Sequence, residues 1–221
     1  MKIVGMSDLH GLLPKLEDIP DCNVVIIAGD ISPLYLQEKI AECAIWFGNV
    51  FIPWCETLPC DKVIIVGGNH DFFLEDIKPH FLKFGKNKKI ILLKHQVYKY
   101  NHITFFGTPY VEGLSRWAFN LSLEQAEEKF SKIPNCDVLI SHTPPFDAAN
   151  TGRVGGYRGA VDYGSWALRN AILNKRIGLI ICGHIHTGDH SLNDWFGHKI
   201  VNVSLLNEDY NMEFSPKLIE I

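Results

Sequence analysis

The chain has 221 residues, 47% of them hydrophobic, and carries a net charge of −4 at pH 7. That length and apolar content predict a single domain over residues 1–221 with a sizeable core. The mild acidity, with no basic stripe, argues against binding a nucleic-acid duplex, and no apolar run approaches the roughly 20 residues that a membrane span needs.

The chain passes from Met1 straight into the β-branched run Lys2–Gly5, so no signal peptide is expected. Cys22, Cys43, Cys55, Cys60, Cys136 and Cys182 form no CxxC motif. They read as reduced, mostly buried thiols of a cytoplasmic protein, although Cys55 and Cys60 are close enough in sequence for a disulfide to be tested. After Lys2–Gly5 come Asp8 and His10, which point the same way if strand alternation persists through them. Leu12–Leu16 predicts a short helical start with Pro14 in its first turn. Asn23–Ala28 is continuously apolar, as expected of a strand covered on both faces, and ends in Gly29-Asp30.

Residues 34–58 carry helical spacing through Ile40, Ala44, Phe47 and Phe51, with Pro53 expected to kink or end the first segment. Val63–Val66 is a further buried strand. It runs into Gly67-Gly68-Asn69-His70-Asp71, where the two glycines are expected to permit a sharp turn. Residues 77–84 read as a short helix or irregular segment. Ile90–Leu93, Gln96–Tyr100 and Ile103–Phe106 predict strands, the last two joined by a hairpin at Asn101-His102. Ser122 and Gln125 have capping-box spacing for a helix through Phe130. Cys136–Ile140 predicts a strand ending at Ser141-His142, and Ile177–Cys182 one ending at Gly183-His184-Ile185-His186. Between them lies the glycine-rich stretch 151–164, a long loop, followed by a helix over 165–173. Strands over 199–203 and 217–221 close the chain.

Five apolar strands therefore end in residues able to hold a metal: Asp8 and His10, Asp30, Asn69 and His70, His142, and His184 and His186. Carboxylate and amide oxygens mixed with imidazoles suit Mn, Fe, Zn or Co better than Ca or Mg. So many ligands exceed the needs of one ion, and a carboxylate such as Asp30 can serve two.

The order DxH, GD, GNHD, H, GHxH over residues 8–186 resembles the calcineurin-like metallophosphoesterase superfamily. The segments 117–120, 141–145 and 164–165, and the close after Asn202-Val203-Ser204, are similar to its metallophosphoesterase-domain-containing branch, related to class III cyclic-nucleotide phosphodiesterases. The protein Ser/Thr phosphatase branch extends the second motif to GDxxDRG; here it is Gly29-Asp30-Ile31-Ser32-Pro33-Leu34. Some members of the favoured branch lose the last histidine, which this chain keeps as His186.

The resemblance implies a four-layer α/β/β/α sandwich of two mixed sheets, with two divalent transition-metal ions at their C-terminal edges: Mn first, Fe or Zn as alternatives. One ion would take Asp8, His10, His186 and a bridging Asp30; the other Asp30, Asn69, His142 and His184. The implied activity is hydrolysis of a small-molecule phosphodiester, nucleotide-like esters included, by in-line attack of a metal-bridging hydroxide, with His70 as general acid. A phosphomonoesterase, a dinucleoside polyphosphate hydrolase and a non-catalytic metal-binding scaffold are the alternatives. Arg153 and Arg158 read equally as a phosphate clamp or as solvated loop charges. Trp117 and Phe119 read as core packing or as a stack for a nucleobase. His80, His95, His102, His190 and His198 lack a motif and are expected to be ordinary surface histidines, His190 the least securely because it lies near the site in sequence. The residues leave the oligomeric state open.

Overall fold

Every residue of Val24–Ala28 is buried, and alternate side chains go to two different cores. Val25 and Ile27 join one apolar cluster, Val24, Ile26 and Ala28 another. The strand is therefore covered on both faces, as its continuous apolar run predicts. The architecture is that of a computed structural model, described for residues 1–77, 83–84, 88–148, 153–154 and 161–221.

The first sheet contains β1 (Lys2–Met6), β2 (Val24–Ala28), β3 (Lys62–Val66), β4 (Lys83–Phe84) and β5 (Ile90–Leu93). The second contains β6 (Gln96–Tyr100), β7 (Ile103–Thr108), β10 (Cys136–Ser141), β13 (Ile177–Cys182), β14 (Asn193–Trp195) and β15 (His198–Asn202). The last strand, β16 (Lys217–Glu220), returns to the first sheet. Two small ribbons stand apart: β8 (Val111–Glu112) with β9 (Asn120–Leu121), and β11 (Arg153–Val154) with β12 (Val161–Asp162).

The first sheet runs β16-β1-β2-β3-β5-β4 and the second β14-β15-β13-β10-β7-β6. In each, four inner strands are parallel and the two edge strands antiparallel. The inner faces meet through Ile3, Ile26 and Ile64 on one side and Val138, Ile140, Ile181 and Val201 on the other. Helices α1 (Ile40–Trp46) and α2 (Ile52–Thr57) cover the outer face of the first sheet with Cys43 and Cys55, and Phe47 and Phe51 lie between them. Helices α4 (Leu123–Ser131) and α5 (Trp166–Ile172) cover the second with Ala126, Phe130, Leu168 and Ile172. A fifth short helix, α3 (Phe72–Asp76), follows β3. The result is the expected four-layer α/β/β/α sandwich.

Several local expectations change. Residues 12–15 form no helix; a single 3-10 turn, Leu16–Asp18, stands in that stretch. The helical region over 34–58 is divided by a π-turn at Phe47–Phe51, where the Ile52 N–H reaches the Phe47 carbonyl. Pro53, without an N–H, then opens α2. The hairpin at Asn101-His102 has φ of 45° and 66°, the paired left-handed values of a tight β-turn. It joins two strands of the second sheet, whereas β5 pairs parallel with β3 in the first. Residues 93–96 are thus the crossing between sheets. The capping box holds both its bonds, Gln125 N–H to Ser122 Oγ and Ser122 N–H to Gln125 Oε1. The segment 78–82 lies outside the described residues. Among those described, no helix is long and apolar enough to cross a membrane.

His95 and His198 are not surface residues. His198 is buried, with Nδ1 on the Ile177 carbonyl. His95 is half-buried, with Nδ1 on Thr108 Oγ1 and its ring edge on Phe106. Burial, reinforced by the charge of Lys129, pushes His95 down from 6.5 to about 4. Between those values the unfolded chain binds a proton that the folded chain does not, so acidification through that window costs stability. His95→Gln should flatten the fall of the melting temperature from pH 6.5 to 4; an unchanged slope would remove His95 as a source of acid sensitivity.

Candidate metal centre

Every candidate ligand follows the C-terminal end of a parallel strand. Asp8 and His10 follow β1, Asp30 follows β2, and Asn69 and His70 follow β3. His142 follows β10; His184 and His186 follow β13. The first five come from one sheet and the last three from the other.

Asp8 and His10 do not arrive by strand alternation. The strand ends at Met6, and both residues turn left-handed, with φ of 55° and 43°. Asp30 and His184 do the same, at 53° and 71°. Non-glycine residues seldom adopt this region, and Asp, Asn and His tolerate it best. The geometry is held by Asp8 N–H to the Gly29 carbonyl at 3.0 Å and His10 N–H to the Asp30 carbonyl at 2.9 Å. Gly67 and Gly68 have ordinary φ, so a sharp turn is not what requires them. A Cβ at Gly67 would meet the Phe119 ring at 2.7 Å, and one at Gly68 would strike the Asp30 carboxylate and come within 2.7 Å of His142. The glycines supply room.

The side chains gather into overlapping groups that could hold a metal. Asp8, His10 and His186 offer donor atoms within 4.8 Å of one another, and so do Asp30, His142 and His184. Asn69 joins the second set, its Oδ1 lying 2.9 Å from His142 Nε2. Asp30 Oδ1 accepts the His70 N–H at 2.8 Å. Its Oδ2 faces His142 Nε2 at 3.3 Å and the Nε2 atoms of His10 and His70 at 3.8 Å. His70 thus also lies close enough to form a third geometric group with His10 and Asp30.

The surrounding bonds free the right atoms. His142 Nδ1 donates to the Ala28 carbonyl at 2.8 Å and His186 Nδ1 to that of Asn207 at 2.8 Å, which leaves each Nε2 for a ligand role. Asp8 is fixed by Ser7 Oγ–H, by Ser204 Oγ–H at 2.6 Å and by the His184 N–H at 3.0 Å. Both ring nitrogens of His10 are buried with no hydrogen-bond partner among the described residues. Orphaned buried nitrogens beside two carboxylates are what a cation would satisfy, so these residues fit a divalent ion.

The electrostatics pull in opposite directions. Burial alone would raise Asp8 and Asp30, yet the neighbouring histidines hold both well below the usual carboxylate range. Burial would lower His142, but the Asp30 carboxylate, Asp8 and the Ala28 carbonyl together raise it to about 9. Burial, then the charge of His142, drops His184 to about 4; His10 also falls to about 4, chiefly by burial. Crowded imidazoles cannot all be protonated around two carboxylates.

Three contributors lie outside the ligand set read from the sequence. Gln37 places Oε1 against His70 Nδ1. Asp71 accepts from the N–H groups of Gly68, Ile31 and Ser32 and from Ser32 Oγ, tying the third strand's motif to the second's. Tyr210 sets its ring edge against His10 and His186, with centroids 4.9 and 5.1 Å away. The two aromatic candidates divide: Phe119 is core, while half-buried Trp117 lies 4.3 Å, centroid to centroid, from the His70 ring. His190 stacks on Phe214 and bonds the His186 carbonyl at 3.2 Å, so it touches the site from outside. Arg158 lies outside the described residues, and of Arg153 only the backbone pairing with Asp162 is described.

A sequence profile described as calcineurin-like phosphoesterase matches residues 1–188. Over 251 aligned positions the chain is 25% identical to UPF0046 protein T07D4.2 of Caenorhabditis elegans, covering 100% of this chain and 60% of that protein. It is 25% identical over 252 positions to metallophosphoesterase domain-containing protein 1 of Homo sapiens, covering 100% and 71%. The chain therefore spans less than two thirds of the nematode protein's length. The crystal structure of a phosphopantetheinyl hydrolase from Mycobacterium tuberculosis shares the fold, with a TM-score of 0.51 at 14% identity over 95% of this chain and 90% of that one. The profile match takes in each of the five strand-end motifs gathered at this edge, and the chain belongs to the calcineurin-like phosphoesterase family.

Proposed function

We propose that this chain is a dinuclear-metal-dependent phosphoesterase acting on phosphodiesters, nucleotide-like ones included. The observation that carries the reading is the convergence on Asp30, whose Oδ2 faces three imidazoles at 3.3–3.8 Å with a candidate ligand set on either side. One ion would be held by Asp8, His10, His186 and Asp30, the other by Asp30, Asn69, His142 and His184. This mixture of oxygens and imidazoles suits Mn, Fe or Zn, with Mn proposed first. Bound there, such ions supply Lewis-acid activation of water and of the phosphoryl group.

The chain's own residues supply proton transfer and orientation. Gln37 Oε1 accepts from His70 Nδ1, which fixes that nitrogen as a donor. His70 Nε2 is then the atom left to carry a proton towards the centre. In this reading it protonates the leaving oxygen of the ester. Trp117 and Tyr210 flank the centre on its His70 and His10 sides and restrict how a leaving group enters.

The test uses full-length protein supplied with Mn and two esters, bis-p-nitrophenyl phosphate and p-nitrophenyl phosphate. Faster hydrolysis of the diester is expected. Preference for the monoester would overturn the phosphodiesterase reading, and hydrolysis of neither would favour a metal-binding scaffold.

A further inference from the structure

The register of the first sheet sets two cysteines side by side, far from the metal centre. Val24 on β2 pairs with Lys62 on β3, and Cys22 and Cys60 each stand two residues earlier. The strands stay together through this approach: Asp61 N–H bonds the Asn23 carbonyl at 3.0 Å, and Cys22 N–H that of Pro59 at 3.4 Å. Neighbouring strands lie about 4.8 Å apart, inside the roughly 4.4–6.8 Å between Cα atoms that a disulfide spans. The two thiols lie close enough to shift each other's acidity. Cys22 and Cys60 are the half-exposed cysteines; Cys43, Cys55, Cys136 and Cys182 are buried.

We propose that Cys22 and Cys60 form an oxidisable dithiol that closes to a reversible disulfide in response to a peroxide. The pair, not Cys55 with Cys60, is the one the fold prepares. Cys55 faces inward from α2 into the apolar cluster beneath that helix. Cys60 is the attacking sulfur. The neighbouring Cys22 thiol lowers its pKa despite burial, helped by the charge of Lys89, whose Nζ is held on the Glu56 and Leu58 carbonyls. The nearby Cys60 raises Cys22 in turn, and burial raises Cys43 to about 11 and Cys136 to about 12. The Cys60 thiolate attacks one peroxide oxygen, the O–O bond breaks, and hydroxide leaves and is protonated to water. The Cys22 sulfur then attacks the resulting sulfenic acid, forming the S–S bond and releasing a second water. Two thiols and one hydrogen peroxide thus give one disulfide and two waters.

The experiment exposes the full chain, loaded with redox-inert Zn, to stoichiometric hydrogen peroxide. Thiols titrated after denaturation should fall by two from the six in the sequence, peptide mapping should find Cys22 joined to Cys60, and dithiothreitol should restore all six. In Cys22→Ser protein, dimedone should label Cys60 as a trapped sulfenic acid. A Cys55–Cys60 link, dimedone labelling first at another cysteine, or six thiols persisting in the treated wild type would each overturn the proposal.

Discussion

Replacing His70 with alanine should lower turnover on an alkyl phosphodiester by about 10²–10⁴-fold, the usual worth of a general acid, and should leave the metal content unchanged. On a p-nitrophenyl ester, whose leaving group departs without a proton, the loss is far smaller. The contrast between the two esters is the measurement, because a folding defect would depress both. Metal content, read by elemental analysis of the same samples, separates two roles that the geometry brings close together. His70 Nε2 lies 3.8 Å from Asp30 Oδ2, as His10 Nε2 does, so a lost ion in the variant would make His70 a ligand. Gln37→Ala should show the same ester dependence with a smaller loss, since the imidazole remains but its orientation is no longer fixed.

The second large effect falls on stability. Asp71→Ala removes the common acceptor of three buried N–H groups and the Ser32 hydroxyl. Each unsatisfied buried donor costs roughly 1–3 kcal/mol, and relaxation recovers part of the total, so a loss of about 3–5 kcal/mol is expected. The shift in urea midpoint measures it. Asp71→Asn keeps one acceptor oxygen and should cost clearly less; equal losses would mean that the carboxylate's hydrogen bonds are not what secures these loops.

The strand-end pattern was legible because it is local. Each pair such as Asp8/His10 or His184/His186 is contiguous with an apolar run, and fully buried strands announce themselves by continuous hydrophobicity. The layers were harder to see. Residues 90–106 look like one antiparallel meander, and only pairing shows that Leu93 belongs to the first sheet and Gln96 to the second. Gln37 was invisible because it sits in an irregular segment seven positions after Asp30, in no motif. Asp71 was visible as a letter of GNHD, but its bonds to Ile31 and Ser32 join segments 40 residues apart. The left-handed backbone at Asp8 and His10 was hidden because simple alternation predicts the same convergence by another route.

Each ligand set draws on both sheets: Asp8 and His10 with His186, and Asp30 with His142 and His184. An ion held there is a clasp across the seam, and the apolar seam is in turn the gauge that sets its span. Val203, which packs so tightly on Gly5 that a Cβ there would lie 2.9 Å from its Cγ1, and Ile181 both lie in this seam. A change of one methylene at either would slide one half of the ligand set against the other. In the two-metal reading proposed above, side-chain volume deep between the sheets would help to set the spacing of the candidate ligands at the edge.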